Sequence, residues 1–112
     1  MSELEYDVET LNSRDYSYPN QLRDMEREGW EIDPTMFAGE TVYLRRHHRV
    51  AELQHQANLR RRNLRFKRQA DGTWIANFAP PIVEAANEVF RGSTSLESAE
   101  VACSWLQAHP RG

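Results

Sequence analysis

The sequence predicts an α+β fold built of two small sheet-and-helix units that are joined by a connecting helix. Several short segments alternate apolar and polar residues with the period of a half-buried strand, and the segments between them carry apolar residues at helical spacing. The chain has 112 residues, which suits one domain or two very small subdomains that share a core. The predicted division is a β-α-β-β unit over 1–47, a connecting helix over 48–62, and a β-hairpin with C-terminal helices over 63–112.

The first unit opens with a strand over residues 4–10. Its apolar side carries Leu4, Tyr6, Val8 and Thr10, and its polar side carries Glu5, Asp7 and Glu9. A helix is predicted from Pro19 to Glu28, because proline suits the first helical position and Gly29 can take the left-handed conformation that ends a helix. Trp30 is then expected to contact Met25.

Two further strands complete the first unit. The first of them begins at Trp30, is interrupted at Asp33-Pro34 and is expected to resume at Met36 and Phe37. A tight turn at Ala38-Gly39-Glu40 follows. The last strand runs from Thr41 to Arg46, with Val42 and Leu44 facing inward and Tyr43 and Arg45 outward.

The connecting helix is predicted from His47 to Arg62. Val50, Leu53 and Ala57 share one face, and three arginines at 60–62 fall in the last turn, where positive charge suits the helix dipole. Because the helix is thinly apolar, it is expected to lie across the surface as a connector.

The second unit begins with a hairpin. Leu64 and Phe66 alternate with charged residues, Asp71-Gly72 is a strong turn signal, and three more residues are expected inward, namely Trp74, Ala76 and Phe78. Residues 82–91 fit an amphipathic helix better than a strand, although both remain open. A final helix is predicted by the capping pair Thr94 and Glu97, and Pro110 follows its end.

Charge is unevenly distributed along the chain. The net charge is −3, with 12 acidic and 6 basic side chains in residues 1–53, and 5 acidic and 8 basic in residues 54–112. Such asymmetry indicates either an interaction surface or two halves that attract each other within one fold. The positive charge concentrates in 45–68, and we call this set the basic belt: Arg45, Arg46, Arg49, Arg60, Arg61, Arg62, Arg65, Lys67 and Arg68.

No pattern predicts catalysis, a metal site or a cofactor. His47, His48 and His55 lie near one another, but a metal site needs three or four ligands at fixed geometry and no recognised spacing is present. The lone Cys103 lies on an apolar helix face, where a thiol acts as a small hydrophobe, and it allows no intramolecular disulfide. With no signal-peptide pattern and no apolar run long enough to span a bilayer, the predicted location is the cytoplasm, without a membrane partner.

The predicted function is therefore non-enzymatic: a small binding or adaptor protein that contacts another protein or a second copy of itself. The candidate surfaces are the basic belt and an acidic strand face formed by Glu5, Asp7 and Glu9. The alternative is a nucleic-acid-binding regulator that uses the basic belt to contact phosphates, with Trp74 or Phe66 stacking on bases if these rings are exposed.

Several segments resemble known families. The segments EYDVETL, LRDMEREGWEI and GETVYLRRH, within residues 4–47, resemble a small bacterial domain family of unknown function with a strand, a helix, a Gly-Trp-Glu turn and a hairpin. FKRQADGTWIANFAP and GSTSLESAEVACSWL, within 64–107, are similar to HicB antitoxin domains and to the arm-binding domains of phage tyrosine integrases. Either of these two likenesses implies binding contacts at Arg65, Lys67 and Trp74. The integrase domains require a third strand, where residues 82–91 favour a helix.

Overall fold

The computed structural model describes residues 5–36 and 38–109 and shows the α+β fold that the sequence predicts. Three helices and two three-stranded antiparallel sheets form this part of the chain. In chain order the elements are β1 (Tyr6–Asn12), α1 (Tyr18–Arg27), β2 (Glu31–Ile32), β3 (Thr41–His47), α2 (His48–Asn58), β4 (Asn63–Arg68), β5 (Trp74–Ala79), β6 (Phe90–Gly92) and α3 (Ser95–Ala108). Within these residues the helices are too short or too polar to cross a membrane.

Sheet 1 has the strand order β1-β3-β2. Its register reverses the two sides that the alternating pattern of β1 predicts. Glu9 lies opposite Leu44, and Val8 lies opposite Arg45. Directly opposed residues project to the same side of a sheet, so the polar side of β1 shares a face with buried Leu44 while Val8 is exposed. Leu4, the predicted start of this strand, lies outside the described residues.

The end of α1 confirms the predicted glycine closure. Gly29 has φ +94°, its N–H donates to the Glu26 carbonyl at 2.9 Å, and the Trp30 N–H donates to the Met25 carbonyl at 3.0 Å. These are the paired bonds of a Schellman ending. The Arg46 guanidinium lies over the Trp30 ring, 4.9 Å from the ring centroid.

The segment between β2 and β3 differs from the prediction. Met36 is exposed and outside any strand, because the Asp33 carboxylate accepts from the Thr35 N–H at 2.9 Å and turns the chain. Phe37 lies outside the described residues. The tight turn before β3 is confirmed, since the Thr41 N–H donates to the Ala38 carbonyl at 3.0 Å.

Helix α2 is shorter than predicted and more buried. It ends at Asn58, and Arg61 with φ +61° closes it, so the three arginines at 60–62 lie beyond the helix rather than in its last turn. The predicted inward face is confirmed, because Val50, Leu53 and Ala57 are buried in one core with residues of β4, β5 and α3. The helix is therefore part of a core in addition to joining the two sheets.

Sheet 2 has the strand order β4-β5-β6, and its hairpin confirms the predicted turn at Gly72, which has φ +88°. The favoured helix over residues 82–91 is wrong. The segment forms a short 3-10 turn at Val83–Ala85 and then β6, in which Phe90 pairs with Ala76. Phe90 is buried because its ring packs against Phe78, with ring centroids 5.7 Å apart.

Helix α3 begins as predicted. The Thr94 side chain accepts from the Glu97 N–H at 3.1 Å, which is the capping bond expected at this position. The buried face of the helix packs into the core of sheet 2 and consists of Ser95, Ser98, Ala99, Ala102, Cys103 and Leu106. Pro110, the predicted stop, lies outside the described residues.

Candidate functional site

Most of the basic belt is occupied by contacts within the chain. Arg65 forms an ion pair with Glu28, and Arg68 Nε lies 2.7 Å from Glu26 Oε2. Both pairs join the end of α1 to β4. Arg60 donates a 2.7 Å hydrogen bond to the Leu106 carbonyl near the end of α3, where positive charge is favourable.

The belt residues at its N-terminal end are also engaged. The Arg45 guanidinium makes a cation–π contact with the Tyr6 ring, 5.0 Å from its centroid. The contact of Arg46 with Trp30 is of the same kind. Arg49 forms a 2.9 Å ion pair with Glu52 one turn along α2. Much of the basic belt is thus engaged within the chain. The ion pairs of Arg65 and Arg68 join the basic half to the acidic half, which favours attraction between the two halves as the reason for the uneven charge.

Stacking by Trp74 or Phe66 would require exposed rings, and the structure does not meet this condition. Trp74 is 3% exposed, and Phe66 lies in the same buried cluster. Both point to the side of sheet 2 that the helices cover. Neither ring offers a face to a nucleic-acid base.

The acidic strand face is only partly a free surface. Asp7 Oδ1 lies 3.0 Å from His48 Nε2 at the start of α2. Glu5 and Glu9 are exposed, and Glu9 lies on the edge strand of sheet 1. Charged side chains on an exposed edge discourage pairing with another strand, so these residues have a structural use without a ligand.

A groove between α1 and β4 gathers cationic side chains that are far apart in the sequence. It has a volume of about 340 Å³, and we call it the basic groove, lined by Arg23, Glu26, Arg27, Phe66, Lys67 and Arg68. Four of these six residues are cationic and exposed. The single carboxylate is already paired with Arg68.

Half of this cationic set is visible in the sequence as part of the basic belt, and the other half is not. Lys67 and Arg68 belong to the basic belt, whereas Arg23 and Arg27 lie in α1, outside it. The available signal was their spacing of four residues, which places both on one face of α1. Their position opposite β4 depends on the packing of α1, which no local pattern predicts.

A second basic surface adjoins the groove on the outer side of sheet 2. Lys67, Ile75 and Arg91 lie directly opposite one another across the three strands, and Arg65 lies opposite Asn77. Among the strand residues that the structure describes, this outer side carries no carboxylate. Lys67 belongs to both surfaces, so positive charge continues from the groove across the sheet.

Burial raises the pKa of two titratable side chains. Burial raises the pKa of Glu31, and a hydrogen bond from the Ser95 N–H and the charge of Arg45 partly oppose that shift. Burial likewise raises the pKa of the Cys103 thiol, which keeps it protonated. Within residues 5–36 and 38–109, no three His, Cys, Asp or Glu side chains come together in a way that holds a metal ion.

No family model matches the sequence, and no curated protein or solved structure matches it significantly. The resemblances to the bacterial domain family, to HicB antitoxins and to integrase domains therefore stay predictions. The basic groove and the outer side of sheet 2 are the two surfaces whose charge indicates a binding role.

Proposed function

We propose that this chain is a non-enzymatic binding protein that holds an acidic segment of another protein in the basic groove. The observation that carries the proposal is the convergence of Arg23, Arg27, Lys67 and Arg68 around one opening with a single, already paired carboxylate. Arginines present several donors to a carboxylate, and such charge-assisted bonds are stronger than neutral ones. A cytoplasmic location is part of this proposal.

The scale of the positive charge supports a protein segment as the ligand. The groove offers a few cations on a chain whose net charge is −3. A long polyanion would meet the groove and also the acidic remainder of the surface, whereas a short acidic segment meets the groove alone. Charge complementarity of this kind mainly speeds and orients association.

A second candidate function is nucleic-acid binding by the outer side of sheet 2. The row of Lys67, Ile75 and Arg91 favours it, since three strands span about 10 Å and the DNA major groove is about 12 Å wide. Strand β6 also supplies the third strand that the likeness to integrase domains requires. The negative net charge makes this the weaker candidate.

The experiment compares two charge-reversal variants by fluorescence anisotropy. The probe is a fluorescein-labelled peptide in which glutamates alternate with leucines. We expect Arg23→Glu with Arg27→Glu to weaken peptide binding by about tenfold, which corresponds to about 1.4 kcal/mol. The matched control, Arg14→Glu with Arg49→Glu, makes the same change in net charge outside the groove and should leave binding nearly unchanged.

Labelled duplex DNA and single-stranded RNA in the same assay separate the two candidates. Binding of nucleic acid that falls steeply with salt and is lost in Arg91→Glu would favour the second candidate, because Arg91 lies outside the basic groove. The proposal of an acidic protein ligand is rejected if the peptide does not bind at about 100 μM, a weak affinity on the usual scale. It is also rejected if both variants weaken peptide binding equally.

A further inference from the structure

Two loops meet at one end of sheet 2. Asn63, the first residue of β4, pairs with Ala79, the last residue of β5. The loop that precedes β4 and the loop that follows β5 therefore leave the sheet at the same end. We call the two loops, residues 59–62 and 80–89, the loop end.

The loop end exposes large apolar side chains. Leu59 is 72% exposed, Val83 is 85% exposed and Val89 is 60% exposed. Single exposed apolar residues are common, but these three lie on the two loops that leave one end of sheet 2, so association at that end would remove apolar surface from water. Most of the Leu59 side chain is left uncovered by the described chain.

An apolar pocket lies in the second of these loops. It has a volume of about 270 Å³ and is lined by Asn77, Phe78, Pro81, Ile82, Ala85, Ala86, Glu88 and Phe90. Aromatic and aliphatic walls with a few polar groups at the rim are typical of a site that receives one apolar side chain. An aliphatic side chain such as leucine suits its size and lining.

The two loops carry opposite charges. Residues 80–89 contain Glu84 and Glu88 and no basic residue, and both glutamates are exposed. Leu59 is followed by three arginines, of which Arg60 is bound to the Leu106 carbonyl while Arg61 is exposed. One loop thus presents a leucine beside positive charge, and the other presents an apolar pocket beside negative charge.

We propose that two copies of this chain associate through the loop end, with Leu59 of each copy entering the 80–89 pocket of the other. Arg61 of one copy then lies near Glu84 and Glu88 of the other. Because both features occur on the same chain at the same end of the sheet, a two-fold axis makes the contact reciprocal and closed. The partner is a second copy because this chain itself supplies both complementary surfaces.

This association is independent of the proposed function. The basic groove includes Lys67 and Arg68, at the opposite end of β4 from Asn63. A dimer formed through the loop end leaves two grooves open. Loss of dimerisation therefore leaves peptide binding at each groove intact, and failure of one proposal does not decide the other.

Sedimentation velocity across a concentration series, up to several hundred micromolar, tests the association. We expect a monomer–dimer equilibrium that Leu59→Asp and Val83→Asp each weaken by about tenfold or more, since both place a charge against an apolar surface. Both positions are exposed in the monomer, so the variants should fold, which thermal melting followed by circular dichroism checks. Tyr16→Asp is the matched control, because Tyr16 is 97% exposed in the turn between β1 and α1, outside both loops, and its change should have no effect.

A charge exchange tests the orientation of the contact. Arg61→Glu alone and Glu84→Arg with Glu88→Arg alone should each weaken dimerisation, and the three substitutions in one chain should restore it. General hydrophobic association does not give this rescue. The proposal is overturned if the protein stays monomeric throughout the series, if the dimer is insensitive to both apolar substitutions, or if the combined variant fails to recover.

Discussion

The side-chain hydroxyl of Ser95 donates a 2.7 Å hydrogen bond to the carbonyl of Gly29. This bond joins the first residue of α3 to the residue that closes α1. A Cβ atom at Gly29 would lie 2.9 Å from Val50 Cγ1 and 3.2 Å from the Phe66 ring. The turn after α1 is therefore the place where sheet 1 meets the core of sheet 2.

Gly29→Ala should lower the free energy of unfolding by about 3 kcal/mol. About 1–2 kcal/mol comes from placing an L-residue in the left-handed conformation, and the rest from overpacking against Val50. Urea denaturation measures the change. Gly39→Ala is the matched control, because Gly39 has φ +60° with open space around it, so only the conformational cost applies. Equal losses in the two variants would show that the close approach at Gly29 carries no energy.

Arg61→Gly should raise the free energy of unfolding by about 0.5–1 kcal/mol. Arg61 occupies the position of a helix ending that glycine normally takes, with its N–H bonded to the Asn58 carbonyl at 2.9 Å. Arg60→Gly is the contrasting variant, since Arg60 lacks a positive φ and its guanidinium bonds Leu106. That change should destabilise the protein. A loss of stability in Arg61→Gly would contradict the assignment of strain to this residue.

Glu31→Gln should stabilise the protein near neutral pH and have little effect in acid. Burial raises the folded-state pKa of Glu31, so the folded protein binds this proton more tightly than the unfolded chain does. Its contribution to stability is then most favourable below the unfolded pKa and is lost as pH rises through the folded pKa. Glutamine removes the buried charge and keeps an oxygen that accepts from Ser95.

Urea unfolding at about pH 4 and about pH 7 checks this expectation, because the two conditions bracket the range in which a carboxyl with a raised pKa titrates. The exposed Glu9→Gln serves as the control. A stabilisation by Glu31→Gln that is larger in acid than at neutral pH would mean that the ionised carboxylate is favourable in the fold.

The ion pair of Glu26 and Arg68 should couple weakly in a double-mutant cycle. Their atoms lie 2.7 Å apart, but the Arg68 side chain is about half exposed to solvent. Exposed pairs of this kind contribute about 0.2–1 kcal/mol, and salt reduces the value. Alanine substitutions at both positions, singly and together, give the coupling from the free energies of unfolding. A coupling well above this range would make the pair a principal contact between α1 and β4.

Local chemistry in the sequence predicted much of the fold. The ending of α1 at Gly29, the hairpin turn at Gly72 and the capping of α3 by Thr94 each depend on residues within a few positions of one another. Because these interactions join residues close together in the sequence, they can be predicted without knowledge of the tertiary structure. The inward face of α2 was equally clear from its helical spacing.

The sequence alone left the candidate sites incomplete. The basic belt was visible as a run of charge, but its ion-pairing partners Glu26 and Glu28 lie 42 and 37 residues away from Arg68 and Arg65. The basic groove combines two belt residues with Arg23 and Arg27, which gain significance only beside β4. The base-stacking role considered for Trp74 fails because the helices cover the side of sheet 2 on which it lies, and exposure of that side depends on tertiary packing.

By itself, then, the sequence determined the α+β class, the hairpin and most helix ends, since these follow from periodicity and turn chemistry. Tertiary structure decided the third strand of sheet 2, because Phe90 joins Ala76 rather than continuing a helical face. It also decided which face of β1 shares the side of Leu44, because register depends on the partner strand. Long-range pairing and packing select among conformations that local preferences leave nearly equal in free energy, and the basic groove is formed by that packing.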